Sequence, residues 1–352
     1  MSTEQALLLL READLIQLGQ AARTARFRHN PRRTVTYVVD RNINYTNTCV
    51  SGCKFCAFYR APGDAESYVL EAEEFERKLG ELVEVGGTTV LLQGGLHPSL
   101  DLSFYEGLLR RIEARKLHAH CFSPPEIVHL ARRFGLSVEG LLIRLRSAGL
   151  DTIPGGGAEI LDDEIRSKLS PRKCTTAEWL DCMRTAHKLG MRTTATMVFG
   201  HIETLEHRVG HLARLRDLQD ETAGFTAFIC WTFQPENTAL GTARTRQTTA
   251  LGPGESLPFP AGGQEYLRML AVSRLFLDNF PHVQASWVTQ GPKIAQLALE
   301  FGADDIGSTM LEENVVRAAG CEFRMTRAEL ERLISDAGYL PRQRDCLYNP
   351  IE

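Results

Sequence analysis

The sequence lacks any long hydrophobic run, and the longest candidates, such as residues 6–10, are short and followed by charged residues. A membrane-spanning helix needs roughly 20 apolar residues, so we expect no transmembrane segment and no membrane partner. Residues 1–33 also lack the basic, apolar and small-residue order that marks a signal peptide. We expect them to form a helical extension ahead of the fold of a cytoplasmic protein.

A large excess of charge of either sign is also absent. The 352 residues carry a formal net charge of −4, and 43% of them are hydrophobic. Residues 23–33 are locally basic, but the balance of the whole chain argues against binding to nucleic acid. The composition is that of a globular protein whose core is large enough to need no disulfide bond.

The nine cysteines do not follow the pattern of a disulfide framework, because their number is odd and six of them are scattered. This distribution favours a reducing compartment. The other three form the pattern Cys49-x-x-x-Cys53-x-x-Cys56 just after the first predicted strand. Structural zinc sites and ferredoxin-type clusters use four ligands, and no second Cys or His pair follows at a suitable spacing.

Three thiolates in one loop favour a 4Fe–4S cluster with one open iron, which can bind a substrate or a cofactor. Two alternatives remain from the residues alone. One is a zinc site completed from elsewhere in the chain, and the other is a loop of buried free cysteines.

Short apolar runs alternate with longer amphipathic helical patterns along most of the chain. The eight runs are residues 34–47, 88–95, 117–124, 150–157, 191–200, 224–235, 283–291 and 303–310. Such alternation predicts an α/β fold with parallel strands, because parallel strands need a crossover connection. We expect a (β/α)8 TIM-type barrel over residues 34–310, with an N-terminal helical extension over 1–33 and a C-terminal helical extension packed on the barrel over 311–352. A doubly wound open sheet is the alternative, although it usually carries a glycine fingerprint after its first strand.

The segment 239–263 is long for a loop and rich in Gly, Pro and Thr. Loops of this kind are either lids or disordered segments, and we predict a lid over the barrel mouth.

The cysteine loop, with Phe55 just before its last cysteine, resembles the cluster motif of the radical S-adenosylmethionine (SAM) superfamily. The stretches "QGGLHP" at 93–98 and "ATMVFGHIE" at 195–203 resemble further motifs of that superfamily, in the same order. The resemblance implies a (β/α)8 barrel, a 4Fe–4S cluster held by Cys49, Cys53 and Cys56, and bound SAM.

The resemblance also implies which residues bind SAM. The backbone of the glycine motif contacts the amino group of SAM, a residue after strand four binds the ribose, and the strand-five motif flanks the adenine. The predicted cofactor-binding residues are Phe55, Gln93, Gly94, Gly95, Ser123, Glu159 and Glu203. The arginine that some relatives use for the SAM carboxylate has no clear match, since Trp179 occupies its place. Arg172 and Lys173 are the candidates for that contact.

Across almost the whole chain, the resemblance narrows to the cyclic dehypoxanthinyl futalosine synthase family. The stretches that carry it include "DRNINYTNTCVSGCKFCAFYR", "LLQGGLHP", "FSPPEI", "GLDTIPGGGAEIL", "LQDETAGFTAFICWTFQPENT" and "IGSTMLEENV". The aminofutalosine synthase and deazaflavin-forming families share the cluster motif and parts of the barrel, and they are the alternative within the class. "IPGGGAEIL" and "FICWTFQPENT" favour the cyclase.

The resemblance implies that a 5′-deoxyadenosyl radical takes a hydrogen atom from the ribose of dehypoxanthine futalosine. The sugar radical then adds to the substrate's own aryl ring, and loss of an electron and a proton restores aromaticity. The product, cyclic dehypoxanthinyl futalosine, belongs to menaquinone biosynthesis. The implied partners are this substrate and an electron donor such as flavodoxin or ferredoxin.

Two alternatives come from other classes of protein. An iron–sulfur electron carrier would not need eight strand–helix units or the glycine motif. A zinc-stabilised binding module would contain neither iron nor sulfide.

The predicted catalytic residues, which could accept the ring proton, are His97, His120 and Glu126. Each has a structural alternative. His97 is then a capping or surface histidine, His120 is a core histidine, and Glu126 is a carboxylate favoured at the start of a helix. The predicted substrate-binding residues are Asn44, Trp231, Gln234 and Asn237, with packing as the alternative for the tryptophan.

Asp40, Asn42 and Asn44 alternate on the first strand. Polar groups on one face of a buried strand cost free energy unless they are paired. We expect hydrogen bonds inside the barrel and some contact with substrate.

Overall fold

The computed structural model describes residues 1–248 and 260–351. In chain order, the helices α1–α13 span Thr3–Glu12, Leu15–His29, Ala72–Glu84, Leu102–Ala114, Pro124–Phe134, Val138–Ser147, Asp163–Leu169, Thr176–Lys188, Leu205–Thr222, Ala239–Thr248, Gly263–Phe276, Trp287–Ala298 and Arg327–Asp336. The strands β1–β10 span Thr34–Val38, Asp40–Asn44, Thr89–Gln93, His118–Cys121, Thr152–Ile153, Arg192–Phe199, Phe225–Thr232, His282–Gln284, Asp305–Ser308 and Leu340–Gln343. Residues 249–259, the centre of the predicted lid, lie outside the described residues, and α10 forms the first part of that segment.

Within the described part of the chain, the strands form one parallel sheet in the order β10-β1-β9-β8-β7-β6-β5-β4-β3-β2. Only Val39 separates β1 from β2. The carbonyl oxygen of Val38 accepts a hydrogen bond from the Thr309 N–H, and that of Val39 accepts one from the Thr88 N–H. One continuous segment therefore pairs with β9 on one side and with β3 on the other, which curls the sheet round on itself. The predicted TIM-type fold is confirmed, with β1–β2 and β3–β9 as its eight strand positions.

The strand β3 illustrates how the sequence produces this curled sheet. Successive side chains on a strand point to opposite faces. Val90 and Leu92 are fully buried in the apolar core, whereas Thr89, Leu91 and Gln93 line the central cavity. The helices thus cover an apolar outer face, while the inner face is free to carry polar side chains.

The N-terminal helices pack against the outside and the lower end of the barrel. A capping box between Ser2 and Gln5 starts α1, which contains the Leu-rich run at 6–10. The fully buried Arg26 of α2 donates hydrogen bonds to the carbonyl oxygens of Thr34 and Ala303, at the starts of two barrel strands. No helix among the described residues is long and apolar enough to cross a membrane.

The C-terminal segment adds a strand that the sequence analysis does not predict. Helix α13 is followed by β10, which pairs in parallel with β1. The chain then turns below the barrel, where the Arg344 guanidinium binds the Asp305 carboxylate at 2.5 and 2.9 Å. The ring of Tyr348 stacks on His282 with 3.8 Å between ring centroids. Arg344 and Tyr348 line the central cavity, so this tail forms the floor of the barrel.

Candidate active site

A cavity of about 430 Å³ extends from the cysteine loop into the barrel interior. Carboxyl ends of barrel strands converge on one mouth, and this is where the cavity opens. It brings together most of the predicted site residues, namely Asn44, Cys49, Cys53, Phe55, Cys56, Gln93, Gly94, Gly95, His120, Ser123, Glu126, Glu159, Trp231 and Gln234. Three others, His97, Glu203 and Asn237, do not line it.

The cysteine loop lies at the mouth of this cavity, and its three thiols are free. The Cys49 sulfur accepts backbone N–H groups from Ser51 at 3.4 Å and from Leu96 at 3.3 Å. Burial raises the pKa of Cys53 and raises that of Cys56 to about 11, so a bound metal would be needed to hold these groups as thiolates.

These residues fit a 4Fe–4S cluster. Among the described residues, no three His, Cys, Asp or Glu side chains converge on a single metal ion. A cluster does not require such convergence, because each thiolate binds a different iron. N–H groups directed at a cysteine sulfur, as at Cys49, are the kind of hydrogen bond that tunes cluster thiolates.

Gly52 is the residue that lets the cysteine loop turn back on itself. Its φ of +60° lies in the left-handed region, and an added Cβ would meet the Arg172 guanidinium at 2.3 Å. Arg172 donates to the Ser51 carbonyl oxygen and so holds the loop. Of the two candidates for the SAM carboxylate, only Lys173 lines the cavity.

The glycine motif packs so tightly against the cysteine loop that side chains are excluded. A Cβ at Gly95 would meet the Thr48 carbonyl oxygen at 2.2 Å, and one at Gly94 would meet the Tyr45 ring at 2.5 Å. Packing against Tyr45 and Thr48 therefore requires glycine at both positions, and the contact of this backbone with SAM stays a prediction.

Glu126 organises this region through four hydrogen bonds. Its carboxylate accepts from the Tyr45 hydroxyl at 2.7 Å, the Gly94 N–H at 3.1 Å, and the Ser123 N–H and hydroxyl at 2.7 and 2.6 Å. The contacts to Ser123 are a capping box that starts α5. Burial raises the pKa of Glu126. Glu126 thus has the structural role of a carboxylate at the start of a helix, and a catalytic role for it stays a prediction.

The buried Glu159 and the half-buried Lys173 form an ion pair next to the cysteine loop. The Lys173 ammonium donates to Glu159 Oε1 at 2.8 Å, and the Arg166 guanidinium lies 3.6 Å from Glu159 Oε2. The Lys173 ammonium also lies 5.1 Å from the centre of the Phe55 ring.

His120 and Gln234 line the cavity with much of their hydrogen-bonding capacity in use. His120 Nδ1 lies 2.7 Å from the Thr152 hydroxyl, and burial lowers the pKa of His120 to about 3. Gln234 donates to the carbonyl and hydroxyl oxygens of Thr232. His120 is therefore a neutral imidazole at physiological pH.

The three predicted residues outside the cavity have structural partners. His97 Nδ1 accepts the backbone N–H groups of Ser99 and Leu100, as in the capping alternative. Glu203 is buried and accepts a hydrogen bond from the Arg208 guanidinium at 2.8 Å. Burial by itself would raise the pKa of Glu203, but its basic neighbours lower it. Asn237 donates to a carbonyl oxygen in the C-terminal segment.

The cavity also contains Lys173, one of the two candidates for the SAM carboxylate, and the polar residues Asp40 and Asn42 of the first strand. Arg344 and Tyr348 line it as well, and they are outside the predicted residues. The polar alternation on the first strand is a signal for Asp40 and Asn42. No sequence pattern connects Arg344 and Tyr348 to the barrel interior, because they reach it only through the pairing of β10 with β1.

Comparison with known proteins agrees with this geometry. A model of the radical SAM superfamily matches residues 43–215, and a model of the CofH/MqnC C-terminal region matches residues 222–352. A cyclic dehypoxanthine futalosine synthase from Halalkalibacterium halodurans is 45% identical over 100% of this chain and 91% of its own length. This chain belongs to the radical SAM superfamily. It is an enzyme of the MqnC/CofH group, and its cofactors are a 4Fe–4S cluster and SAM, as predicted.

Other relatives carry two different names. A cyclic dehypoxanthine futalosine synthase from Streptomyces coelicolor is 43% identical over 100% of this chain and 86% of its own length. A 5-amino-6-(D-ribitylamino)uracil–L-tyrosine 4-hydroxyphenyl transferase from Archaeoglobus fulgidus is 44% identical over 91% of this chain and 89% of its own length. The similar identities establish the group and leave the substrate open.

A solved structure supports the fold. The crystal structure of methylornithine synthase (PylB) matches with a TM-score of 0.74 over 97% of this chain and 94% of that chain. At 19% sequence identity, this similarity concerns the fold alone.

Proposed function

We propose that this enzyme cyclises dehypoxanthine futalosine to cyclic dehypoxanthinyl futalosine in menaquinone biosynthesis. The observation that carries the proposal is coverage: two relatives named cyclic dehypoxanthine futalosine synthase match 100% of this chain at 45% and 43% identity, whereas the Archaeoglobus fulgidus transferase matches 91% of it at 44%. Two motifs typical of the cyclase support it. "IPGGGAEIL" follows β5 and "FICWTFQPENT" covers the end of β7, and residues of both line the cavity.

The cavity has the two kinds of surface that this substrate requires. Trp231, Phe233 and Ile229 form an apolar wall suited to an aryl ring. Asn42 and Thr194 place polar groups inside the barrel, where they can bind a sugar. When bound, the cluster and SAM supply the one-electron cleavage of SAM that begins the reaction, while the chain binds and orients the substrate and excludes water.

The hydroxyphenyl transferase reaction is the second candidate, because the Archaeoglobus fulgidus relative is 44% identical. Both reactions would use the same cluster and SAM, and they differ in substrate. An assay that offers each substrate separately distinguishes them. The electron donor stays a prediction for both, with flavodoxin or ferredoxin as candidates.

The test is anaerobic turnover of the reconstituted protein with SAM, a reductant and dehypoxanthine futalosine, followed by mass spectrometry. We expect 5′-deoxyadenosine together with a product two hydrogens lighter than the substrate. A parallel reaction contains 5-amino-6-(D-ribitylamino)uracil and tyrosine instead. Product from this second mixture alone would replace the cyclase by the transferase, and the Cys53→Ala variant serves as the inactive control in both.

A further inference from the structure

Asp40, Asn42 and Asn44 face the cavity from one side of β2, at intervals of two residues. All three are buried, with relative exposures of 6%, 5% and 4%. Burying a polar group without a hydrogen-bond partner costs free energy, so each side chain is expected to have a partner inside the barrel.

Two of the three have such partners. Asn44 Nδ2 donates to the Gln93 carbonyl oxygen at 3.2 Å, and its Oδ1 accepts from Asn314 Nδ2 at 3.2 Å. The Asp40 carboxylate accepts the Ser308 hydroxyl. These contacts connect Asn44 and Asp40, the two outer residues of the three, to neighbouring parts of the protein.

Asn42 is the exception. Its amide forms no hydrogen bond with any of the described residues, and its Oδ1 is buried without a partner. The residue beside it in the sheet register is Leu91 of β3, whose side chain cannot satisfy an amide. Asn42 therefore lines the cavity with an amide that has no partner among the described residues.

We propose that Asn42 binds hydroxyl groups of the substrate's sugar, an inference that rests on the proposed function and assigns a residue of the same site. A hydroxyl both donates and accepts, which matches the two sides of an amide. Asp40 lies two residues along the same face and offers carboxylate oxygens to a second hydroxyl. The predicted contact of Asn44 with substrate is then the weaker one, because both sides of its amide are already used.

The Asn42→Leu variant tests the proposal, because it keeps the approximate volume and removes the amide. Replacing an unpaired buried polar group by an apolar one of similar shape is neutral or stabilising. We therefore expect an unchanged or higher melting temperature, with KM for dehypoxanthine futalosine raised at least tenfold.

Thr176→Val is the matched control. The Thr176 hydroxyl is also buried without a hydrogen-bond partner in the described part of the chain, but it does not line the cavity. We expect an unchanged or higher melting temperature here as well, with KM unchanged. An Asn42→Leu protein whose KM stays within twofold of the parent value would overturn the proposal.

Two further measurements keep the proposal testable if other steps fail. If Asn42→Leu does not fold, substrate analogues that each lack one ribose hydroxyl are compared on the parent protein, and equal KM values for all of them would overturn the proposal.

If the parent makes no product from dehypoxanthine futalosine, the proposed function fails. Parent and variant are then compared with 5-amino-6-(D-ribitylamino)uracil, whose ribityl chain carries the same hydroxyl chemistry, and equal KM values would again overturn the inference.

Discussion

The ammonium group of Lys173 lies 2.8 Å from Glu159 Oε1. Glu159 is buried and Lys173 is half-buried, and both line the cavity beside the cysteine loop. Although burial disfavours a charged lysine, the nearby Cys53 and Glu159 raise the pKa of Lys173. Lys173 therefore keeps a positive charge in the cavity, where it is one of the two candidates for contact with the SAM carboxylate.

Removing one partner of this pair should destabilise the protein. In Lys173→Met, Glu159 keeps only the Arg166 guanidinium, at 3.6 Å, and one buried carboxylate oxygen loses its hydrogen bond. We expect the free energy of unfolding to fall by about 3 kcal/mol, as for other buried pairs that lose one ion. Urea unfolding measures the change. Lys168→Met, which breaks an exposed pair with Glu164, is the control, and a loss as large as that of Lys173→Met would contradict the argument.

The cluster ligands can be tested without any substrate. Cys53→Ala should lose most of the bound iron and sulfide and all SAM cleavage, because only two of the three predicted thiolate ligands would remain. The circular dichroism spectrum should be retained, since the loop lies at the barrel mouth. Cys321→Ala is the control, because Cys321 is also a free thiol but lies outside the cavity. A full iron complement in Cys53→Ala would contradict the ligand assignment.

The sequence predicts the fold well where apolar runs and helical patterns have their ordinary lengths. The sequence locates element boundaries less accurately where the same apolar residues fit both the period of a strand and the period of a helix. The run 283–291 is predicted as a single strand, but β8 ends at Gln284 and α12 begins at Trp287. The apolar pair at 287–288 fits either period, so the pattern alone cannot locate this boundary. The four-residue strand β10 has no alternating apolar pattern, since its leucine is exposed and its glutamine is buried, and its pairing with β1 is a tertiary effect.

The site is predictable where its residues share one loop or follow one strand. The cysteines and the glycine motif lie together because each follows a neighbouring parallel strand. His97 could not be placed in the same way, because a side chain in a loop can turn back and cap its own backbone, as this one does. Arg344 reaches the barrel only through the folded C-terminal segment, so the sequence contains no local sign of its position.

Arg344 should be essential to the stability of the barrel floor. Its guanidinium binds the fully buried Asp305 carboxylate with two hydrogen bonds, and Arg344→Met would leave that charge with only the Thr36 hydroxyl and the Gly307 N–H. We expect the free energy of unfolding to fall by about 3–5 kcal/mol. Arg342→Met, two residues away and exposed, should change it by less than about 0.5 kcal/mol. Similar urea midpoints for the two variants would contradict this role.

Asp40 should make the stability depend on pH, because burial raises the pKa of its carboxyl group from 3.8 to about 6. The folded state then holds the proton more tightly than the unfolded state, so stability is lost as pH rises from about 4 to 6. Asp40→Asn removes this loss and should gain roughly 2–3 kcal/mol at pH 7.5 but little at pH 4. Urea unfolding at both pH values, with the exposed Asp336→Asn as control, measures the gain. Equal gains at both pH values would contradict the raised pKa.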